Sequence, residues 1–294
     1  MNTIVTTTQP SATPLPATLR LGPVHLTVSD LERSIAWYES ALGLLVHTRA
    51  DGSAELGDGS ETVLVLVEDR GARQAGRHAG LYHYALLYPS REELARAAVR
   101  LIQRQTPIQG ASDHGTHEAI YLPDPDGNGI ELAADRAREL WPSPEEEFGR
   151  GGPQPLDLGD LLGTVAGEPL RERVGEGLRM GHVHLHVGSI DEGLAFYRDV
   201  IGFDVWARIP TAAFVSAGGY HHHLGFNVWR GNGVPPAPDH TVGLRHWTFR
   251  LDTGDAVAEV RRRADEAGAP VEADADGFVV RDPWGIALRI EVAR

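Results

Sequence analysis

The sequence predicts an α+β chain of four β-α-β-β-β modules, two to each of two tandem domains. Three observations carry this. First, Val24-His25-Leu26-Thr27-Val28, Trp37-Tyr38 and Leu42-Gly43-Leu44 return as Val183-His184-Leu185-His186-Val187, Phe196-Tyr197 and Ile201-Gly202-Phe203. The step from His25 to His184, from Tyr38 to Tyr197 and from Gly43 to Gly202 is 159 residues each time. Second, Asp124-Pro125-Asp126-Gly127 is matched by Asp282-Pro283-Trp284-Gly285, a step of 158 residues. A period this long means duplicated domains, because solenoid units run about 20–50 residues. Third, the same order of strand and helix signals is read four times along the chain.

In module one, Val24–Val28 alternates as a strand does. Ser29 or Asp30 caps a helix that runs to Leu42, Glu32 favours its first turn, and Gly43 stops it. Strands follow at Leu44–Arg49, Ala54–Leu56 and Thr62–Val67, with Asp51-Gly52 and Asp58-Gly59 as turns. Module two has a strand at Tyr82–Leu87, a helix from a Ser90 cap to Arg104, and strands at Glu118–Leu122 and Ile130–Ala133. Module three has a strand at His182–Val187, a helix from Ser189 to Ile201, and strands at Phe203–Arg208, Ala213–Ser216 and His223–Val228. Module four has Leu244–Leu251, a helix from Asp255 to Ala267, Phe278–Arg281 and Ala287–Val292. The predicted limits are a disordered lead-in at 1–19, a first domain at 20–136, a linker at 137–178 and a second domain at 179–294. Within the linker a short helix is expected near Leu156–Leu162, and Glu145-Glu146-Glu147 is read as a solvated run.

The 294 residues suit two domains with substantial cores. A net charge of −14 argues against nucleic acid, which needs a basic footprint, and against anionic membrane surfaces. There is no cysteine, so disulfides, thiolate metal sites and a cysteine nucleophile are excluded and any metal must be held by His, Asp or Glu. No signal peptide is read at the start and no apolar run has the length of a membrane span, so a cytoplasmic protein is expected. A homo-oligomer is compatible with all of this.

The chain resembles the vicinal-oxygen-chelate superfamily of glyoxalases, bleomycin-resistance proteins and extradiol dioxygenases. Within it, the chain is most similar to bacterial catechol 2,3-dioxygenase-like two-domain proteins. The resemblance rests on Gly22-Pro23-Val24-His25-Leu26-Thr27-Val28-Ser29-Asp30, Asp124-Pro125-Asp126-Gly127-Asn128-Gly129-Ile130-Glu131-Leu132, Gly181-His182-Val183-His184-Leu185 and Gly218-Gly219-Tyr220-His221-His222-His223. It spans Leu21 to Val292 and implies that paired modules curl into open barrels. As a guide to the reaction it is broad, since one such scaffold serves many chemistries.

The resemblance also implies where a metal would be held. One ligand stands three residues before the Leu of Leu-x-Val: His182 in module three, His246 in module four, His83 in module two and the non-ligating Pro23 in module one. The carboxylate stands four residues after the Gly of Asp-Pro-x-Gly, which gives Glu131 in module two and Arg289 in module four. Neither half carries the whole pattern. Side chains two apart share a strand face, so Glu291 is the nearest substitute for Arg289 and His25 for Pro23. The expected set is therefore His182, His246 and Glu291, with His223 as an alternative third ligand. The competing N-terminal set is His83, Glu131 and His25. His114 and His117, in a loop-like stretch, are given no role.

Two histidines and a carboxylate suit Fe(II), with Mn(II) or another divalent metal as the alternative. Tyr220-His221-His222-His223-Leu224-Gly225-Phe226 resembles the extradiol segment that supplies an acid/base histidine, which implies His223 or His222. Trp229, Phe226 and Trp247 are candidates for an aromatic pocket. The expected function is an Fe(II)-dependent extradiol ring-cleaving dioxygenase acting on a catechol-type substrate with O₂. The alternatives are a metal-dependent glyoxalase-type isomerase or lyase, and a metal-free protein that binds a small molecule.

Overall fold

The structure is a computed structural model that describes residue 11 and residues 13–293. The strands are β1 Val24–Val28, β2 Leu45–Ala50, β3 Ser53–Gly57 and β4 Thr62–Glu68 in module one, and β5 Gly80–Tyr88, β6 Gly110–Asp113, β7 His117–Pro123 and β8 Gly129–Asp135 in module two. Module three has β9 Arg179–His186, β10 Asp204–Ile209, β11 Ala212–Ser216 and β12 Leu224–Asn227, and module four has β13 Gly243–Leu251, β14 Val271–Asp274, β15 Gly277–Arg281 and β16 Ala287–Val292. The helices are α1 Leu31–Trp37, α2 Arg91–Gln103, α3 Pro144–Gly149, α4 Leu158–Gly163, α5 Ile190–Leu194 and α6 Gly254–Glu266. The fold is α+β, built from four β-α-β-β-β modules. Strands β6 and β14 are absent from the sequence reading. Both are short and polar (Gly-Ala-Ser-Asp and Val-Glu-Ala-Asp), so neither shows apolar alternation.

The described residues form two compact units: residues 26–73 with 83–181, and residues 11 and 13–25 with 74–82 and 182–293. The first contains most of modules one and two, the second most of modules three and four. In each module the last strand lies beside the first, and the third and second strands follow outward in a meander. Strand β8 runs parallel to β5, β12 to β9 and β16 to β13. The helix after the first strand supplies the crossover that a parallel pair needs. Within the second unit, β9 and β12 belong to one sheet and β13 and β16 to another.

Local chemistry sets the helix ends. Asp30 accepts from Arg33 N at the start of α1, and Ser189 accepts from Glu192 N at the start of α5. Both helices widen into a π-helical last turn, at Tyr38–Leu42 and Ala195–Ile201, and both stop at a left-handed glycine, Gly43 with φ 71° and Gly202 with φ 106°. The cores are apolar: Leu26, Tyr84, Leu86, Leu94 and Leu132 in the first unit, and Val183, Phe203, Phe249, Val280 and Ile290 in the second, are all buried.

Two segments depart from expectation. Residues 1–10 and 12 of the anticipated disordered lead-in lie outside the described residues. Residues 13–19 are held in place: Leu15 and Leu19 are buried, and Leu15 N donates to Gly202 O at 2.9 Å. The acidic run Glu145–Glu147 is the first turn of α3, whose Ser143 and Glu146 form a reciprocal capping box, and Glu147 is buried. No helix among the described residues is long and apolar enough to cross a membrane.

Candidate metal centre

In the first unit, β5 and β8 run side by side in parallel, with Ala85 opposite Glu131 and His83 opposite Gly129. His83 and Glu131 thus lie two positions apart on neighbouring strands and share a face. His83 Nε2 approaches Glu131 Oε2 to 3.1 Å. Both residues are buried, Glu131 to within 1 % of full burial. A carboxylate so deep needs partners, because removing it from water is costly.

Strand β7 supplies another. It runs antiparallel to β8, with Tyr121 opposite Glu131, and its first residue, His117, brings Nε2 to 3.0 Å from Glu131 Oε1. Thr116 Oγ1 lies 2.8 Å from the other ring nitrogen of His117. The imidazole of His114 stacks on that of His117 at 4.3 Å, nearly parallel, and its Nε2 is 2.7 Å from the Tyr121 hydroxyl. From α3, Glu147 reaches within 3.7 Å of His114 Nδ1. Burial disfavours charge on His117, but the hydrogen bond and charge of Glu131 outweigh it and raise its pKa. Burial, then the neighbouring His117, lower that of His114. His114, His117 and Glu131 offer donor atoms all within 4.8 Å of one another.

The second unit distributes its histidines over two sheets. On β9, His182, His184 and His186 alternate onto one buried face. Asn227 on β12 fixes two of them: its amide donates to His184 Nε2 at 3.0 Å, and its carbonyl accepts from His186 Nδ1 at 2.8 Å. The His182 ring lies 4.1 Å from that of His222. His222 Nδ1 is in turn 2.9 Å from His221 Nδ1. His223 turns elsewhere. Its Nδ1 accepts from Ala217 N at 3.2 Å, and its ring faces Phe203.

His246 is on β13, in the other sheet from His182, and stacks on His25 at 3.9 Å. Burial and neighbouring positive charge keep both rings neutral. The pKa of His246 is lowered to about 4 by burial, Arg289 and Arg245. That of His25 is lowered to about 3 by burial, His246 and Arg289. Glu291 accepts from Arg250 Nε at 2.8 Å and lies 3.2 Å from Arg289 Nε. Arg289 also pairs with Asp274 at 2.6 Å. The expected set His182, His246 and Glu291 is therefore not brought onto one sheet face, and Glu291 is engaged by two guanidinium groups. The alternative set is divided as well: His83 and Glu131 meet, whereas His25 packs on His246.

Of the aromatic candidates, Phe226 and Trp247 are wholly buried. Phe226 packs on Tyr197, and Trp247 on Tyr197, Phe203 and Phe249. Both are packing residues with no exposed face. Trp229 is 51 % exposed and stands edge-on to Tyr82. His117, His114, Tyr121 and Glu147 were missed by sequence reasoning. A signal was available for two of them: His117-Glu118-Ala119-Ile120-Tyr121 alternates, so His117 and Tyr121 share the face of a strand that precedes the Glu131 strand.

Residues 20–132 and 179–290 each match the family model described as Glyoxalase/Bleomycin resistance protein/Dioxygenase superfamily. The chain is 40% identical over 268 residues to a catechol-2,3-dioxygenase of Bacillus subtilis (strain 168), covering 90% of this chain and 93% of that protein. Two solved structures share the fold at low identity. Glyoxalase I from Zea mays superposes with a TM-score of 0.57 at 17% identity, covering 94% of this chain and 92% of that one. The cppA protein from Streptococcus pneumoniae TIGR4 gives a TM-score of 0.59 at 14% identity, covering 93% and 99%.

Proposed function

The chain belongs to the Glyoxalase/Bleomycin resistance protein/Dioxygenase superfamily and is a dioxygenase-like enzyme within it, and on that footing we propose that it is an Fe(II)-dependent extradiol dioxygenase that cleaves a catechol-type ring with O₂. The observation that carries the reading is the buried pair His83 and Glu131, 3.1 Å apart on parallel strands, in a chain so similar to a catechol-2,3-dioxygenase. We assign His83 and Glu131 as metal ligands.

The donor chemistry fits the metal. Imidazole and carboxylate, the donors that His83 and Glu131 offer, are ligand types that non-haem Fe(II) accepts. His83 and Glu131 would hold the Fe(II), which would supply Lewis acidity that lowers the catechol pKa and redox chemistry towards O₂. The remaining work falls to the protein. The hydroxyl of Tyr121 and Nε2 of His114, 2.7 Å apart, form a pair that can accept a proton from a phenolic oxygen and return it. In the second unit, His222 beside His182 is the group best placed to act as an acid or base, and Trp229 and Tyr82 offer ring faces to an aromatic substrate.

The test is oxygen uptake by protein purified and loaded with Fe(II) under anaerobic conditions. Added catechol should be consumed with one O₂ per ring, and protein loaded with Mn(II) serves as the metal control. Turnover of catechol with no oxygen uptake, or iron bound undiminished by His83→Ala, would overturn the proposal.

A further inference from the structure

Both oxygens of Glu131 face imidazoles, and the two contacts are not equivalent. Oε2 meets His83, the proposed ligand, at 3.1 Å. Oε1 meets His117 Nε2 at 3.0 Å. The proton on Nε2 of His117 follows from Glu131, because a carboxylate oxygen only accepts; the Thr116 hydroxyl holds the ring by its other nitrogen, Nδ1, at 2.8 Å. That geometry is held firmly. Thr116 and His117 are both 2 % exposed, Arg136 N donates to the Thr116 carbonyl at 2.9 Å, and the His114 ring covers one face of the His117 ring, tilted by 6°.

We propose that His117 is a positioning residue for Glu131: it occupies Oε1 and so presents Oε2 as the single oxygen offered to a divalent cation. The inference rests on the reading of His83 and Glu131 as metal ligands. With the His117 hydrogen bond in place, Glu131 binds through one oxygen and leaves a coordination position open for substrate. Without it, the carboxylate is free to turn and chelate through both oxygens, which closes that position. Outer hydrogen bonds of this kind typically change metal affinity by about 10–100-fold.

The experiment is a titration of the full-length apo protein with Co(II), followed by its visible absorption, for wild type and for His83→Ala, His117→Ala, His117→Gln and Thr116→Val. His83→Ala should abolish binding. His117→Ala should bind about 10–100-fold more weakly, with a weaker visible band as the coordination number rises. His117→Gln, whose amide N–H can reach the same oxygen, should restore the band and most of the affinity. Thr116→Val should fall between wild type and His117→Ala. If His117→Ala fails to fold, the Gln and Thr116→Val proteins carry the test alone. Wild-type affinity and spectrum in His117→Ala or Thr116→Val, with binding lost in His83→Ala, would overturn the positioning role and leave the metal assignment intact. Binding abolished by His117→Ala and unrecovered by Gln would make His117 a ligand instead. Undiminished binding by His83→Ala would overturn the metal assignment, and the inference with it.

Discussion

Tyr38 donates its hydroxyl proton to Asp124 Oδ2 at 2.9 Å, and the duplicated half repeats the bond as Tyr197 to Asp282 Oδ2 at 2.9 Å. In each case the tyrosine lies in the widened last turn of the helix after one module's first strand, and the aspartate opens the turn into the next module's last strand. The aspartate also shapes its own turn. Asp124 accepts from the backbone of Asp126 and Asn128, and Asp282 from that of Trp284 and Ile286. In the first half this turn leads straight into β8 and so fixes the start of the strand that carries Glu131.

Replacing Tyr38 or Tyr197 by Phe should destabilise the fold by about 1–3 kcal/mol, since a buried carboxylate loses a donor while packing is kept. Urea unfolding of each variant measures the loss. A change below about 0.5 kcal/mol would show that the bond contributes little net stability.

Glu131→Gln should lose metal, whereas Glu291→Ala and His246→Ala should retain it. Glu291 is engaged by Arg250 and Arg289, and His246 faces Arg289 and Arg245. Iron content after anaerobic loading decides. Metal lost on Glu291→Ala and kept on Glu131→Gln would move the centre to the second half.

Stability should fall as pH drops below about 6.5. His25 and His246 have folded-state pKa values lowered to about 3 and about 4, so the unfolded chain binds their protons first. Their contribution is intact above the unfolded histidine pKa and is lost on the way down, at most about 1.4 kcal/mol per pH unit for each ring. Asp282 acts in the opposite sense. Its folded pKa, raised to about 6 by burial, makes the chain bind that proton earlier when folded, which offsets part of the loss below pH 6. Unfolding free energies at pH 7 and pH 5 should therefore differ, and the difference should shrink in His246→Leu. An unchanged difference in that variant would exclude His246 as a source.

Gly43→Ala should be more damaging than Gly52→Ala, although both residues have φ of 71°. A Cβ on Gly43 would stand 2.8 Å from the Glu172 carbonyl and 2.9 Å from the Arg100 guanidinium carbon, whereas at Gly52 nothing lies within 4 Å. The left-handed conformation costs about 1–2 kcal/mol at either site, and the clash adds to it at Gly43 alone. Equal melting temperatures for the two variants would contradict this.

The sequence by itself determined the modules, their order and their helix ends. Those features are local: strand alternation, a capping Asp30 or Ser189, a left-handed Gly43 or Gly202, and the Asp-Pro-x-Gly turns are written within a few residues of where they act. The family resemblance offered His83 and Glu131 as the alternative to the set in the second half, because a family motif marks each on its strand. Tertiary structure alone decided the rest. Alternation states which residues share a face but not which strands become neighbours, so His182 and His246 looked equivalent until the structure set them on different sheets. Nor could strand periodicity show that Glu291 is engaged by two arginines, or that the second oxygen of Glu131 is taken by His117, a residue the reading had left in a loop. Each outcome depends on groups distant in sequence being packed within about 3 Å, a distance at which a hydrogen bond or ion pair outweighs local preference.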